Sequence, residues 1–418
     1  MSDSTQLEAR KRAPAAVAGL DLYDCDQYVV SPPHEKLKKL REHAPVYWNP
    51  AGGRGAPGFW ALTRYDDVVH VSTHPNLFSS WLGGTNIEDY DEEDLPAMRA
   101  MMLTMDPPDH SRYRRIISRG FTPRMTKELE PNIRRVTREL VDKVAKKGKC
   151  DFVADLAVEL PLQVIAELLG VPLADRQKLF DWSNCMIGFD DPEFRTSMEQ
   201  GRMVAMEIWG YANELIEQRQ NQPGTDLISV VMNGEVDGER ISVAEMDAFF
   251  LLLTVAGNET TRNLISGAMH ALFQHPDQLE RLYADPSLMP TAVEEFLRWV
   301  TPVMYFRRTL TEDTEIRGVP ILKGEKVAMY HLSANFDEAV FPDPFKFDVA
   351  RQPNEHLTFG IGEHYCMGAH LARLEIQIFF EEVLGRLKNL KLESEPRRLR
   401  SNFINGVKEM QVSFTPER

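Results

Sequence analysis

Apolar residues recur every three to four positions over six long stretches, 125–146, 161–169, 202–219, 246–273, 290–300 and 368–387, and that spacing predicts helices with an inward face. Shorter β-rich runs at 45–48, 59–62, 314–316, 326–329 and 411–414 predict strands. The balance is mainly α with small sheets. One stretch breaks the amphipathic pattern: residues 248–256, AFFLLLTVA, are apolar almost throughout and predict a helix buried nearly all round. They run straight into Ala256-Gly-Asn-Glu259-Thr260-Thr261. An acid and hydroxyls inside such a helix are retained when they are partnered or functional, and a Thr hydroxyl can bond the carbonyl one turn back and bend the helix.

A second irregularity lies near the C-terminus, where Phe359-Gly-Ile-Gly-Glu-His364-Tyr-Cys366-Met-Gly368 leads into the last long apolar-periodic segment. A cysteine delivered by a Gly-rich loop to a helix start gains from the helix dipole and from backbone N–H groups, so its thiolate is expected to stay ionised. Gly360, Gly362 and Gly368 clear a face, and Phe359, Leu371 and Ala372 would line it, which suits a large flat partner such as haem. Zinc would want a further Cys or His pair at close spacing, and Cys25, Cys150 and Cys185 do not provide one. A cysteine hydrolase stays open, although the distant His and Asn that it requires are not advertised.

The loop resembles the haem-binding signature of the cytochrome P450 family, F-x-x-G-x-x-x-C-x-G, and further family motifs follow the same order along most of the chain. Glu295-Phe-Leu-Arg298 is similar to the E-x-x-R pair, whose spacing puts both charges on one helix face, and Arg351 ends a segment similar to the one that packs on that pair. The resemblance implies the P450 fold, an α-helical prism with haem b between the long central helix and the Cys-ligand helix, and Cys366 as proximal ligand. It implies that Glu259 and Thr260 relay protons where the central helix opens locally over the haem, with Ala256 beside them. It also implies that His110, Arg114, Arg308 and His364 hold the two haem propionates, with Phe359 and Gly368 against the ring. The triad Glu295, Arg298 and Arg351 is read as structural.

Composition adds limits. The 418 residues carry no linker, repeat or low-complexity stretch, which predicts a flexible polar N-terminus, 1–20, and one catalytic domain, 21–418. The N-terminus has no apolar run of signal or membrane-anchor length, and four cysteines without useful pairing fit a reducing cytoplasm. A net charge of −15 argues against nucleic acid. Locally, Arg112, Arg115, Arg119 and Arg373 are expected to form a basic patch above the thiolate face that attracts an acidic ferredoxin, supplied in turn by ferredoxin reductase.

By family position the substrate pocket takes Trp81, Met101, Leu103, Phe189, Leu252, Val303, Tyr305 and Phe403. Almost all are apolar, which implies a large lipophilic substrate oxidised with O2. The strings VAGNETTRN and ELPLQVIAELLGVP are similar to the actinobacterial steroid and methyl-branched lipid hydroxylases, which oxidise a terminal methyl. SANFDEAVFPDPFKFDVAR also resembles the monoterpene alcohol hydroxylases, so a terpenoid hydroxylase is the alternative. A haem-thiolate sensor without turnover is the alternative of another class, although a sensor needs no acid–alcohol pair.

Overall fold

The computed structural model describes residues 10–52, 57–222, 224, 226–236 and 238–418. The helix Val243–Gln274, 32 residues long, is the axis of the molecule. Its start is fixed by a capping box: Ser242 accepts from the Glu245 N–H at 3.3 Å, and Glu245 Oε2 accepts from the Ser242 N–H at 2.8 Å. Around it pack the helices Glu159–Leu168, Arg176–Ile187, Met198–Asn221 and Met289–Val300, and beyond them Pro123–Ala145 packs on Ala369–Arg386. One large apolar core joins these helices.

A five-stranded sheet flanks the helical part. Its order is Val46–Asn49, Phe59–Leu62, Lys326–Met329, Phe306–Leu310 and Phe78–Ser79, with only the Phe59–Leu62 and Lys326–Met329 pair parallel. A three-stranded sheet, Lys388–Leu392, Gln411–Thr415 and Lys149–Asp151, closes the other side.

Three expectations change. Residues 10–20 are not a loose tail, because Arg10 bonds Glu325 through both terminal nitrogens at 2.7 and 2.6 Å and Val17 is buried; residues 1–9 lie outside the described residues. The central helix is not buried all round, since Leu252 and Thr260 are half-buried and Ala256 is exposed. Nor does it open locally at that point: the helix runs unbroken, and the Thr260 hydroxyl takes the Ala256 carbonyl as acceptor at 2.9 Å. Among the described residues, no helix is long and apolar enough to cross a membrane.

Candidate active site

The loop before Ala369–Arg386 is a run of tight turns, in which the Cys366 N–H donates to Phe359 O at 2.9 Å and the Tyr365 N–H to Gly362 O at 3.1 Å. Gly362 sits at φ +74°, and a Cβ there would stand 2.5 Å from the Ser72 carbonyl oxygen, so only glycine lets the loop rest on the helix Tyr65–Thr73. Of the four cysteines, Cys25, Cys150 and Cys185 are buried and Cys366 is exposed. The residue as a whole is exposed, while its thiol is crowded by enough protein for desolvation to dominate. Burial pushes the thiol up, while the Gly368 and Ala369 N–H groups and the Arg114 and Arg373 charges pull it down without prevailing. Burial thus works against the loop's N–H groups and the two arginines at this sulfur, and a bound metal ion would favour the ionised form. Among the described residues no cluster of three or more His, Cys, Asp or Glu could hold a metal ion.

Close to this loop the structure brings the four expected propionate partners together. The His110 and His364 rings lie 4.2 Å apart, centroid to centroid, and Arg114 Nη2 donates to Tyr365 O at 2.5 Å. Both ring nitrogens of His110 are buried without a hydrogen-bond partner. Burial and the Arg114 and Arg308 charges push the His110 ring down to about 4, and burial lowers Arg308 to about 10. Arg308 Nη1 donates to the Arg307 carbonyl at 2.8 Å, so both arginines rest on backbone carbonyls. Glu363 Oε2 stands 3.6 Å from His110 Nδ1 and its charge acts on Arg114, as that of Asp106 does on Arg308, yet the ring is without a hydrogen bond and two arginines and two imidazoles converge here, a set that suits an anion. Haem fits this donor set: one thiolate for the iron and a buried cationic corner for carboxylates.

On the central helix, Glu259 and Thr260 point differently. The Thr260 hydroxyl lies on the half-open stripe with Leu252 and Ala256, three positions spaced by four that share one face. The Glu259 carboxyl is fully buried against the helix Arg176–Ile187, where Oε1 accepts from Ser183 Oγ at 3.1 Å and Oε2 from Arg262. Burial raises its carboxyl, and Arg262 and Ser183 oppose that rise. Arg262 is held in turn by Asn184 Oδ1 at 2.8 Å, and Asn258 Nδ2 donates to Ser183 Oγ at 2.9 Å. Sequence reasoning missed these four residues. Asn258 and Arg262 carried a signal, as polar residues one turn apart in an apolar helix; Ser183 and Asn184 carried none.

The pocket set divides. Leu103, Phe189, Leu252 and Val303 are half-buried, as a lining requires. Met101 is buried in the main core, and Tyr305 is buried against Tyr330 and Phe403, so strand alternation turns Phe306 rather than Tyr305 to the half-open side. Phe403, also buried, backs this wall through the Phe306 ring at 5.8 Å. Trp81 lies at the surface, its ring under the Arg99 guanidinium at 3.7 Å. In the acidic run 88–94, Asp91, Glu93 and Asp94 pair with Arg202 at 2.8, 2.6 and 3.1 Å, while Asp89 pairs with Arg307 and Lys326. Residues 53–56 of the Gly-rich stretch lie outside the described residues.

The basic patch is smaller than expected. Arg112 is paired with Glu245 at 2.5 Å, and Arg373 binds Glu294 through two nitrogens at 2.7 and 2.9 Å, while Arg115 and Arg119 remain exposed. Glu295, Arg298 and Arg351 come together, with Arg298 forking onto Glu295 at 2.8 Å twice and Arg351 Nε at 3.3 Å from Oε1.

Comparison with known proteins places these features. The family model described as Cytochrome P450 matches residues 33–414. A steroid C26-monooxygenase of Rhodococcus jostii is 42% identical over 409 residues, 96% of this chain and 86% of that protein. A methyl-branched lipid omega-hydroxylase of Mycobacterium bovis is 43% identical over 385 residues, 90% of each. A solved Mycobacterium marinum cytochrome P450 in complex with pseudoionone superposes with a TM-score of 0.88 at 36% identity, covering 95% of this chain and 98% of that one.

Proposed function

The chain belongs to the cytochrome P450 family, a haem b monooxygenase with a cysteine thiolate on the iron, and we propose that Cys366 is that ligand in an enzyme hydroxylating the terminal methyl of a steroid side chain or methyl-branched lipid. When bound, the haem supplies O2 activation and the insertion of one oxygen atom into a C–H bond. His110, Arg114, Arg308 and His364 hold its propionates, with Phe359 and Gly368 against the ring. Each charge-assisted bond contributes about 1.5–3 kcal/mol.

The observation that carries the reading is the stripe Leu252, Ala256 and Thr260, the half-open face of an otherwise buried helix. Apolar groups on that stripe and on Leu103, Phe189, Val303 and Phe306 exclude water and orient a lipophilic chain. Thr260 presents its hydroxyl to the same space, and Glu259, held on the adjacent face of the helix, must swing from Ser183 and Arg262 to pass it a proton. Identity of 42% and 43% to proteins named for steroid and methyl-branched lipid oxidation supports that substrate class. Electrons come from a ferredoxin and its reductase in the cytoplasm, with Arg115 and Arg119 as the exposed cations for docking. A terpenoid alcohol is the second reading, favoured by the solved relative that holds pseudoionone.

Absorbance titration of the ferric protein with a cholestenone, a methyl-branched fatty acid and a monoterpene alcohol separates these readings. A saturating low-to-high-spin shift with the sterol or branched acid, followed by a terminal alcohol in turnover, is expected. Response to the monoterpene alcohol alone would promote the second reading.

A further inference from the structure

The Ser183 hydroxyl has one hydrogen and two acceptors within reach, Glu259 Oε1 at 3.1 Å and Phe180 O at 3.1 Å, and it already accepts from Asn258 Nδ2 at 2.9 Å. A hydroxyl offers one donor and two lone pairs. With Glu259 ionised, the hydrogen points at the carboxylate. With Glu259 protonated, the acid O–H can use the remaining lone pair of Ser183 while the hydroxyl turns to Phe180 O. Neither state leaves the Ser183 hydroxyl or the acid O–H unpaired.

We propose that Ser183 is a positioning residue for proton delivery, a rotor that holds the Glu259 carboxyl in both of its protonation states; this rests on reading Glu259 as the relay acid. A fixed donor cannot accept the acid O–H of the protonated form, and Arg262, which bonds the other oxygen in either state, is such a donor. The same helix face carries Thr254 Oγ1, Asn258 Oδ1 and Arg262 Nε, buried and without a partner among the described residues. Their spacing of four residues puts them in one row along the seam with Arg176–Ile187, where polar atoms of this kind take water. Each proton delivered, two for every oxygen atom inserted, passes from that seam onto the Glu259 carboxylate. Only O–H bonds form and break, and the carboxylate is ionised again once the proton has left toward Thr260.

The test uses the haem-loaded Ser183→Ala variant beside wild type and Glu259→Gln. Product formed per electron should fall about 5-fold, the worth of one hydrogen bond, and the solvent isotope effect on turnover should rise. Independently of turnover, the infrared carbonyl band of protonated Glu259, assigned by its loss in Glu259→Gln, should move to higher frequency once its O–H loses Ser183 as acceptor. A merely structural serine would not move that band. If Ser183→Ala leaves coupling and band unchanged while Glu259→Gln damages coupling, the rotor is overturned and the relay stands. If Glu259→Gln leaves coupling intact, the relay reading itself fails and takes the rotor with it.

Discussion

Two glutamates stand three residues before an arginine on buried helices, and their surroundings give them opposite roles. Glu295 accepts from Arg298 twice, from the Asp348 N–H at 3.0 Å, from Arg351 and from Asn354 Nδ2 at 3.1 Å. The remaining Arg298 nitrogen donates to the Asn335 and Pro344 carbonyls, both at 2.9 Å. Every group in that pair is used up. Glu259 accepts from Ser183 and Arg262, while Arg262 Nε and Asn258 Oδ1 beside it have no partner among the described residues. The same i, i+3 spacing thus yields a fixed strut in one place and an adjustable acid in the other. What separates them is how many donors surround the carboxylate.

The largest effect should come from Glu295→Gln, which leaves the Arg298 and Arg351 charges buried without their counter-charge at a cost of about 3–5 kcal/mol. Little haem-loaded protein is expected, read from the haem-to-protein ratio and the urea unfolding midpoint; unchanged values would erase the distinction between the pairs. Glu259→Gln should lower turnover about 100-fold, as loss of general acid–base catalysis does, and should lower the unfolding midpoint less than the first variant, because it leaves one buried arginine, Arg262, without its counter-charge where Glu295→Gln leaves two. Unfolding as severe as in the first variant would make Glu259 a strut as well.

Glu375 sharpens the comparison as a buried carboxyl with no arginine at all. It lies on the cysteine helix, Oε2 has no partner among the described residues, and burial alone raises it from 4.5 to about 8. Its folded value exceeds its unfolded one, so the folded state binds the proton more tightly. The contribution is fully present below 4.5 and lost as pH rises through about 8. Wild-type stability should decline across that window, and Glu375→Gln should flatten the decline in denaturant titrations at stepped pH. An identical slope in the variant would mean that the carboxyl finds a partner in solution.

Periodicity located the long helices to within a few residues, because each buries a continuous apolar stripe in one shared core. The expected helix at 246–273 is Val243–Gln274, extended by its capping box. Helix Arg176–Ile187 escaped notice because Ser183 and Asn184 interrupt its apolar pattern at buried positions, and that interruption is what serves Glu259. The cysteine loop and its cationic neighbours were legible from local motifs. Surroundings were not: helix geometry puts Glu259 and Thr260, adjacent in the chain, on different faces, but nothing in the sequence says which face meets the helix Arg176–Ile187 and which the half-open space, or that Tyr305 turns into the core and Phe306 out of it. Arg112 and Arg373 read as free charge because their carboxylates, Glu245 and Glu294, come from distant segments.

The contact between Gly362 and Ser72 joins segments 290 residues apart, and this bears on the order of assembly. Pairings at such separation close late, because the intervening chain must lose its freedom before the contact rewards it. The cysteine loop therefore reaches its final shape only after the first and last quarters of the polypeptide have met. Cofactor capture through this loop reports on the whole chain having folded, and a nascent fragment that carries the cysteine motif alone should be poor at it.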